Sequence, residues 1–248
     1  MMFERLKTAR GVARSLRIYY GGRHRRGAMD EFYRQYVQRG DLVFDIGAHV
    51  GDRVGAFRRL GACVVAAEPQ HALVTTLKLI YGRDRSVAIE PVAVGAHEGS
   101  VDLRINIANP TVSTASEDFI ASSQGAPGWQ GQKWNKSVRV PMTTLDALIA
   151  KHGMPSFMKI DVEGFEAQAL EGLTKAPAAL SFEFTTIQRD VALACVDRCA
   201  ALGYTKFNAV QGESLSFAHT RHLSDGEIRQ WIGALPAEFN SGDIYATR

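Results

Sequence analysis

The feature that most constrains this chain is a run of five residues, Leu42-Val43-Phe44-Asp45-Ile46, that passes directly into Gly47-Ala48-His49-Val50-Gly51. A stretch of helical spacing, Arg53–Leu60, begins shortly afterwards. A strand that ends in a glycine turn and opens a helix is the unit with which a Rossmann-like sheet holds a nucleotide cofactor. A second strand, Cys63–Ala67, ends on Glu68, 21 positions beyond Gly47, where a carboxylate can accept hydrogen bonds from both ribose hydroxyls.

The rest of the chain continues the same alternation. Val87–Pro91, Phe157–Ile160, Leu180–Phe184 and Thr205–Asn208 read as further strands, and His71–Tyr81, Leu145–Lys151, Glu163–Leu173 and Asp190–Leu202 have helical spacing. Ser100–Ile105 adds a short alternating strand, and Ser224–Leu235 followed by Asp243–Thr247 predicts a last helix and a terminal strand. Strands separated by helical crossovers build an α/β domain with a parallel sheet and helices on both faces. One stretch, Asn106–Ser137, breaks the rhythm: it is rich in Ser, Gly and Asn yet carries Pro110, Pro127, Trp129 and Trp134. Loops of that length are uncommon in compact domains, so it reads as a lid or acceptor-binding insertion.

Residues 1–28 differ from the remainder in charge. Eight Lys or Arg stand there against Glu4 alone, so the net charge of +3 divides into +7 for this arm and −4 for residues 29–248. Phe3, Leu6, Ala9, Ala13, Leu16 and Tyr20 recur at spacings of three and four, which predicts a helix with one apolar face and arginines around it. The arm is expected to pack on its own domain, on a subunit partner such as the second copy of a homodimer, or against an anionic lipid surface or acceptor. It is expected to leave the cofactor site to residues 29–248. No apolar run approaches the roughly 18–20 residues that span a bilayer, so a soluble cytoplasmic protein is expected, peripheral at the membrane if the arm meets lipid. Cys63, Cys195 and Cys199 follow no metal-ligand spacing and read as small buried apolar residues. No His/Cys cluster suggests zinc, and with the basic residues gathered in one terminal segment nucleic acid is not the expected partner.

The chemistry of the glycine turn separates two cofactor classes. A dinucleotide fold favours Gly-x-Gly-x-x-Gly, whose middle glycine lets the backbone approach a pyrophosphate. Here the pattern is Asp-x-Gly-x-x-x-Gly, with His49 where that glycine would stand and Asp45 beside the turn. A carboxylate suits the cationic methionine of S-adenosyl-L-methionine better than a diphosphate. The second element is Lys159-Ile160-Asp161-Val162-Glu163-Gly164, which puts Asp161 and Glu163 at the carboxyl end of a buried-looking strand. If that strand lies next to Leu42–Ile46, Asp161 faces the reactive end of the cofactor; Glu163 could equally open the following helix.

These residues resemble the FkbM-type methyltransferases. The resemblance is carried by Asp45-Ile46-Gly47-Ala48-His49-Val50-Gly51, Glu68-Pro69, Pro91-Val92-Ala93-Val94-Gly95 with Glu98-Gly99, Thr144-Leu145-Asp146 and, most specifically, the Lys159–Gly164 block. It implies a class I methyltransferase fold with a seven-stranded, mostly parallel sheet and an antiparallel last strand, for which Asp243–Thr247 is the candidate. It implies cofactor contacts from Asp45, Gly47, Ala48, His49, Gly51, Glu68, Pro69, Ala93, Val94 and Asp161, and O-methylation of a sugar, glycoconjugate or natural-product acceptor. It covers neither the basic arm nor the insertion.

Methyl transfer to an alcohol needs alignment and help in removing the hydroxyl proton. The candidate bases are Asp161, Glu163, Glu183 and His49, with His49 read first as an orienting group in the cofactor turn. Trp129 and Trp134 are expected to stack on the acceptor. Converging carboxylates could instead hold Mg²⁺, but no tight ligand spacing favours it and a metal-free base is preferred. Two other classes stand beside this reading: a nicotinamide-dependent oxidoreductase, disfavoured by His49 and Asp45, and a non-catalytic module that docks an anionic partner.

Overall fold

A computed structural model describes residues 2–248, with the side chains of residues 2–5 and Arg23 outside the description; the expected positions of the Phe3 and Glu4 side chains therefore lie outside the described residues. The central sheet has seven strands in the order β3-β2-β1-β7-β8-β10-β9. These are β1 Leu42–Ile46, β2 Cys63–Ala67, β3 Val87–Glu90, β7 Phe157–Ile160, β8 Ala179–Thr185, β9 Lys206–Gln211 and β10 Ser241–Thr247. Every pairing is parallel except those of β10, which runs antiparallel between β8 and β9. Three further strands, β4 Ala93–Val94, β5 Gly99–Ile105 and β6 Lys136–Thr143, form a small second sheet in the order β4-β6-β5.

Period-two alternation divides the apolar residues of the main sheet between its two faces. Phe44, Ile46, Val65, Met158, Ile160 and Phe182 pack on one side with α6 Leu145–His152, α7 Glu166–Glu171, α8 Arg189–Ala201 and α9 Asp225–Ala234. Val43, Val64, Ala66, Phe157 and Tyr245 pack on the other with α2 Arg23–Tyr33, α3 Asp52–Arg59 and α4 His71–Tyr81. Cys195 and Cys199 are buried, as their apolar character requires, but Cys63 is exposed because it is the first residue of β2 and stands outside the core.

Local chemistry sets the element ends. Thr144 caps α6 by accepting from Ala147 N at 3.1 Å, and Ser224 with Glu227 forms a capping box on α9. Helix α7 starts at Glu166 and not at the expected Glu163, because Glu163 (φ +55°) and Gly164 (φ +86°) adopt left-handed backbone that a right-handed helix cannot include.

Two expectations change at the arm and the insertion. Helix α1 spans Met2–Tyr20, but α2 runs through the boundary expected after residue 28 and buries Met29, Phe32 and Tyr33 in the core. The insertion is ordered by a 3₁₀ turn at Pro110–Val112, by α5 Glu117–Ser123 and by the start of β6. Strand β6 is hidden in the sequence by Pro141, a residue that weakens a strand reading, although it pairs with Ser100 of β5 in register.

The order of the main sheet reverses between β1 and β7, so the crevice outside their carboxyl ends is the place for a ligand. The two ends touch there. A Cβ on Gly47 (φ +86°) would stand 1.7 Å from the Asp161 carbonyl oxygen, so only glycine fits. Gly226, in the exposed part of α9, has nothing within 4 Å. Gly47→Ala should therefore destabilise the protein by about 3 kcal/mol or more, whereas Gly226→Ala should stabilise it by roughly 0.5–1 kcal/mol. Thermal denaturation of the two variants checks this; equal melting temperatures would contradict the close approach.

Candidate active site

The crevice opens into a chamber whose floor is the β1 turn. Gly47 N and Ala48 N both donate to Ala67 O, at 2.9 and 3.0 Å, which ties the turn to the end of β2. His49 (φ +49°) and Gly51 (φ +83°) follow in left-handed backbone, and Gly51 caps α3. A side chain at Gly51 would strike Leu77 and Tyr81, so α4 holds the second glycine in place.

Glu68, buried at 3% exposure, accepts from His49 N through Oε2 at 3.0 Å and from Gln70 N through Oε1 at 2.8 Å. Its carboxylate is thereby aimed into the chamber. Burial pushes its carboxyl up to about 8, against the backbone N–H groups of Gln70 and His49 that favour the ionised form. Burial likewise pushes Asp45 up to about 7, opposed by Lys159. Asp45 Oδ2 is buried and has no hydrogen-bond partner. An orphaned carboxylate oxygen in a chamber wall is the complement of a cationic ligand group.

Asp161 lies across the turn from Asp45, at the end of β7. Lys159, 1% exposed, donates to Asp161 Oδ2 at 3.1 Å and to Asp243 Oδ1 at 2.8 Å. Burial raises the Asp161 carboxyl, but Lys159 and then Arg53 outweigh it, and the group sits below the usual carboxylate range. Its neighbours behave oppositely. Burial and the Asp161 charge hold both Glu163 and Glu183 well above that range. One oxygen from each of the three carboxyls lies within 4.8 Å of the others. Within the cluster Asp161 therefore favours the charged form and the two glutamates favour the protonated one.

The sequence-derived residues divide accordingly. Asp45, Gly47, Ala48, His49, Glu68, Pro69, Ala93, Val94, Asp161 and Glu163 all line the chamber. Gly51 supports the turn from behind. Glu183 borders a separate depression beside Gly164 and Gln188 and reaches the chamber through its side-chain hydrogen bond with Asp161. Burial lowers His49 to about 4, so its ring is neutral; Nε2 stands 3.5 Å from Thr111 Oγ1. Trp129 and Trp134 do not line the chamber. Trp129 packs edge-on against Phe119 and donates to Asn240 Oδ1 at 3.1 Å, and Trp134 donates to Val112 O at 2.6 Å, so both build the insertion's own small core. The insertion reaches the chamber instead through Thr111, Ser113 and Ala115.

Several wall residues carried no sequence signal. Arg53 bridges Asp52 at 2.7 Å and Glu213 at 2.6 Å, and Arg25 of α2 bridges the same two carboxylates, each at 2.8 Å. Burial raises Glu213, but Arg53 and Arg25 hold it down at about 2. Glu213 lies 160 residues from Arg53, and no local pattern announces such a pair. The basic segment also forms part of the wall. Tyr19 lines the chamber with its ring 5.4 Å from that of His49, and Tyr20 Oη donates to Val50 O at 2.9 Å.

Among solved structures, the chain is similar to the O-methyltransferase from Bacillus cereus in complex with SAH, at 10% identity and a TM-score of 0.47, covering 96% of this chain and 90% of that one. It is also similar to precorrin-6y C5,15-methyltransferase from Geobacter metallireducens GS-15, at 11% identity and a TM-score of 0.45, covering 90% and 87%. No curated protein matches it. The family model of the methyltransferase FkbM domain matches residues 45–235, from the aspartate of the glycine turn to the end of α9. The chain therefore belongs to the FkbM methyltransferase family, and it is an S-adenosylmethionine-dependent methyltransferase.

Proposed function

We propose that the enzyme transfers the methyl group to a hydroxyl of a sugar, glycoconjugate or natural-product acceptor, with Asp161 as the base that receives the hydroxyl proton. The observation that carries this reading is the division of charge in the carboxyl cluster. Burial and the Asp161 charge favour the protonated forms of Glu163 and Glu183, and His49 belongs to the glycine turn, whereas Lys159 favours the ionised form of Asp161, which lines the chamber.

The residues that would hold S-adenosylmethionine follow from the site. Glu68 takes the ribose hydroxyls, the Gly47–Ala48 backbone lies along the cofactor, and Asp45 Oδ2 gains in the ammonium group the partner it lacks. The sulfonium supplies an activated methyl group when bound. Asp161 would stand to accept the proton that the acceptor hydroxyl gives up on taking the methyl group. Lys159 favours the ionised form of Asp161 and so keeps it ready to accept the proton. Alignment and exclusion of water by Tyr19 and the Thr111–Ala115 wall would supply the rest. A divalent cation at the cluster would compete with the Lys159 ammonium for Asp161, and for this reason the metal-free base is the favoured reading.

Glu68→Ala removes two charge-assisted hydrogen bonds of about 1.5–3 kcal/mol each, so calorimetric affinity for the cofactor should fall by about two to four orders of magnitude. Unchanged affinity would remove Glu68 from the site. Asp161→Asn keeps the shape and removes the charge, and should slow turnover of a methyl-accepting sugar or natural product about 10²–10⁴-fold while cofactor affinity changes little. Near-normal turnover in that variant, with or without a chelator, would contradict both the base and a metal held at Asp161.

A further inference from the structure

The arm helix α1 reaches the domain only with the end of its apolar strip, where Tyr20 donates to Val50 O. It packs through a neighbouring strip of small residues: Gly11 and Ser15 are buried, and a Cβ on Gly11 would meet Ile107 O and Pro110 at 3.0 Å. Leu6, Ala9 and Ala13 stay exposed, one step round the helix. Beside them α4 presents Leu79 and Ile80, 83% and 42% exposed, and β6 presents Val138 at 37%. Between these elements runs an apolar groove. Arg10, Arg14 and Arg17 follow on the next strip of α1, all exposed.

We infer that this face docks the enzyme on an anionic lipid bilayer. Leu6, Leu79, Ile80 and Val138 enter the boundary of the acyl chains, and Arg10, Arg14 and Arg17 meet the headgroups. A soluble monomer gains nothing from a leucine exposed at the rim of an apolar groove, and such faces mark interaction sites. The charge selects the occupant. Arg10, Arg14 and Arg17, exposed together beside the groove, would repel a second copy laid against the same face and attract a negatively charged surface. Exposed apolar residues flanked by arginines are the arrangement of a helix that lies in the plane of a membrane interface. Among the described residues no helix is long and apolar enough to cross a membrane, so the contact is peripheral. The inference goes beyond methyl transfer and holds whichever acceptor the enzyme uses.

The test is co-sedimentation of the full chain with vesicles of about 30% phosphatidylglycerol in phosphatidylcholine, against pure phosphatidylcholine, at roughly 0.15 M and 1 M salt. Binding to the anionic vesicles alone, weakened by salt, is expected. Arg10→Gln/Arg14→Gln/Arg17→Gln should weaken it about 100-fold, and Leu79→Glu should weaken it independently. Melting temperature and calorimetric cofactor affinity should stay unchanged in both variants, so failure here is separable from failure of the methyltransferase reading. Equal binding to neutral vesicles, no binding, or no loss in either variant would overturn the inference. So would a concentration-dependent dimer that Leu79→Glu dissociates, which would assign the face to a second copy.

Discussion

Strand β1 pairs with β7 in parallel, and the Asp161 amide closes the pair by donating to Ile46 O at 2.9 Å. That contact joins two segments more than a hundred residues apart and fixes how near the Lys159–Gly164 block stands to the glycine turn. Everything chemical in the chamber depends on it. With Asp161 O where a Gly47 side chain would be, the turn must be glycine, and Asp45 and Asp161 must face the same small volume. Two carboxylates so placed would repel each other in a medium of low polarity. Lys159, buried beside them, makes the arrangement tolerable by pairing with Asp161 and with Asp243 of the antiparallel strand. The strand that distinguishes this sheet from a purely parallel one thus contributes a charge to the site.

The same economy of charge orders the neighbouring groups. Arg53 and Arg25 pair with Asp52 and Glu213, while burial and the charge of Asp161 favour the protonated forms of Glu163 and Glu183. Asp45 keeps an oxygen without a partner, and Glu68 keeps a carboxylate anchored by backbone groups alone. These two are the groups a bound ligand can still satisfy.

The parts of the fold legible in the sequence were those governed by local rules. Strands β1, β2 and β7 and helix α4 were readable to the residue because a short apolar run or a 3.6-residue period is bounded by turn or cap residues. Asp45, Glu68 and Asp161 could be placed along the chamber from the sequence because each stands at or just beyond the carboxyl end of a strand. What was not legible depends on distant partners. Glu213 joins Arg53 across the fold, Trp129 and Trp134 turn inward onto Phe119, and α1 docks by Gly11 and Ser15 instead of its leucines. Apolar spacing says that a helix has a face; it does not say which strip fits the surface that receives it. Tyr19 shows the same limit, since a residue of the basic segment reaches the chamber only once α1 is seated.

In the proposed site Asp45 and Glu68, poised near neutrality by burial, would be ionised by the cofactor. In the free enzyme Asp45 sits at about 7 and Glu68 at about 8, so both retain a substantial share of their protons at pH 6.5. An ammonium group on Asp45 and hydroxyl donors on Glu68 favour the charged forms, so binding must release protons and tighten as pH rises through this range. The direct measurement is calorimetry of S-adenosylmethionine binding in buffers of different ionisation enthalpy. The account predicts net proton release at pH 6.5 that fades by about pH 9, where both groups are already ionised, and loses the Asp45 share in Asp45→Asn. Tight binding with no buffer dependence at either pH would contradict it.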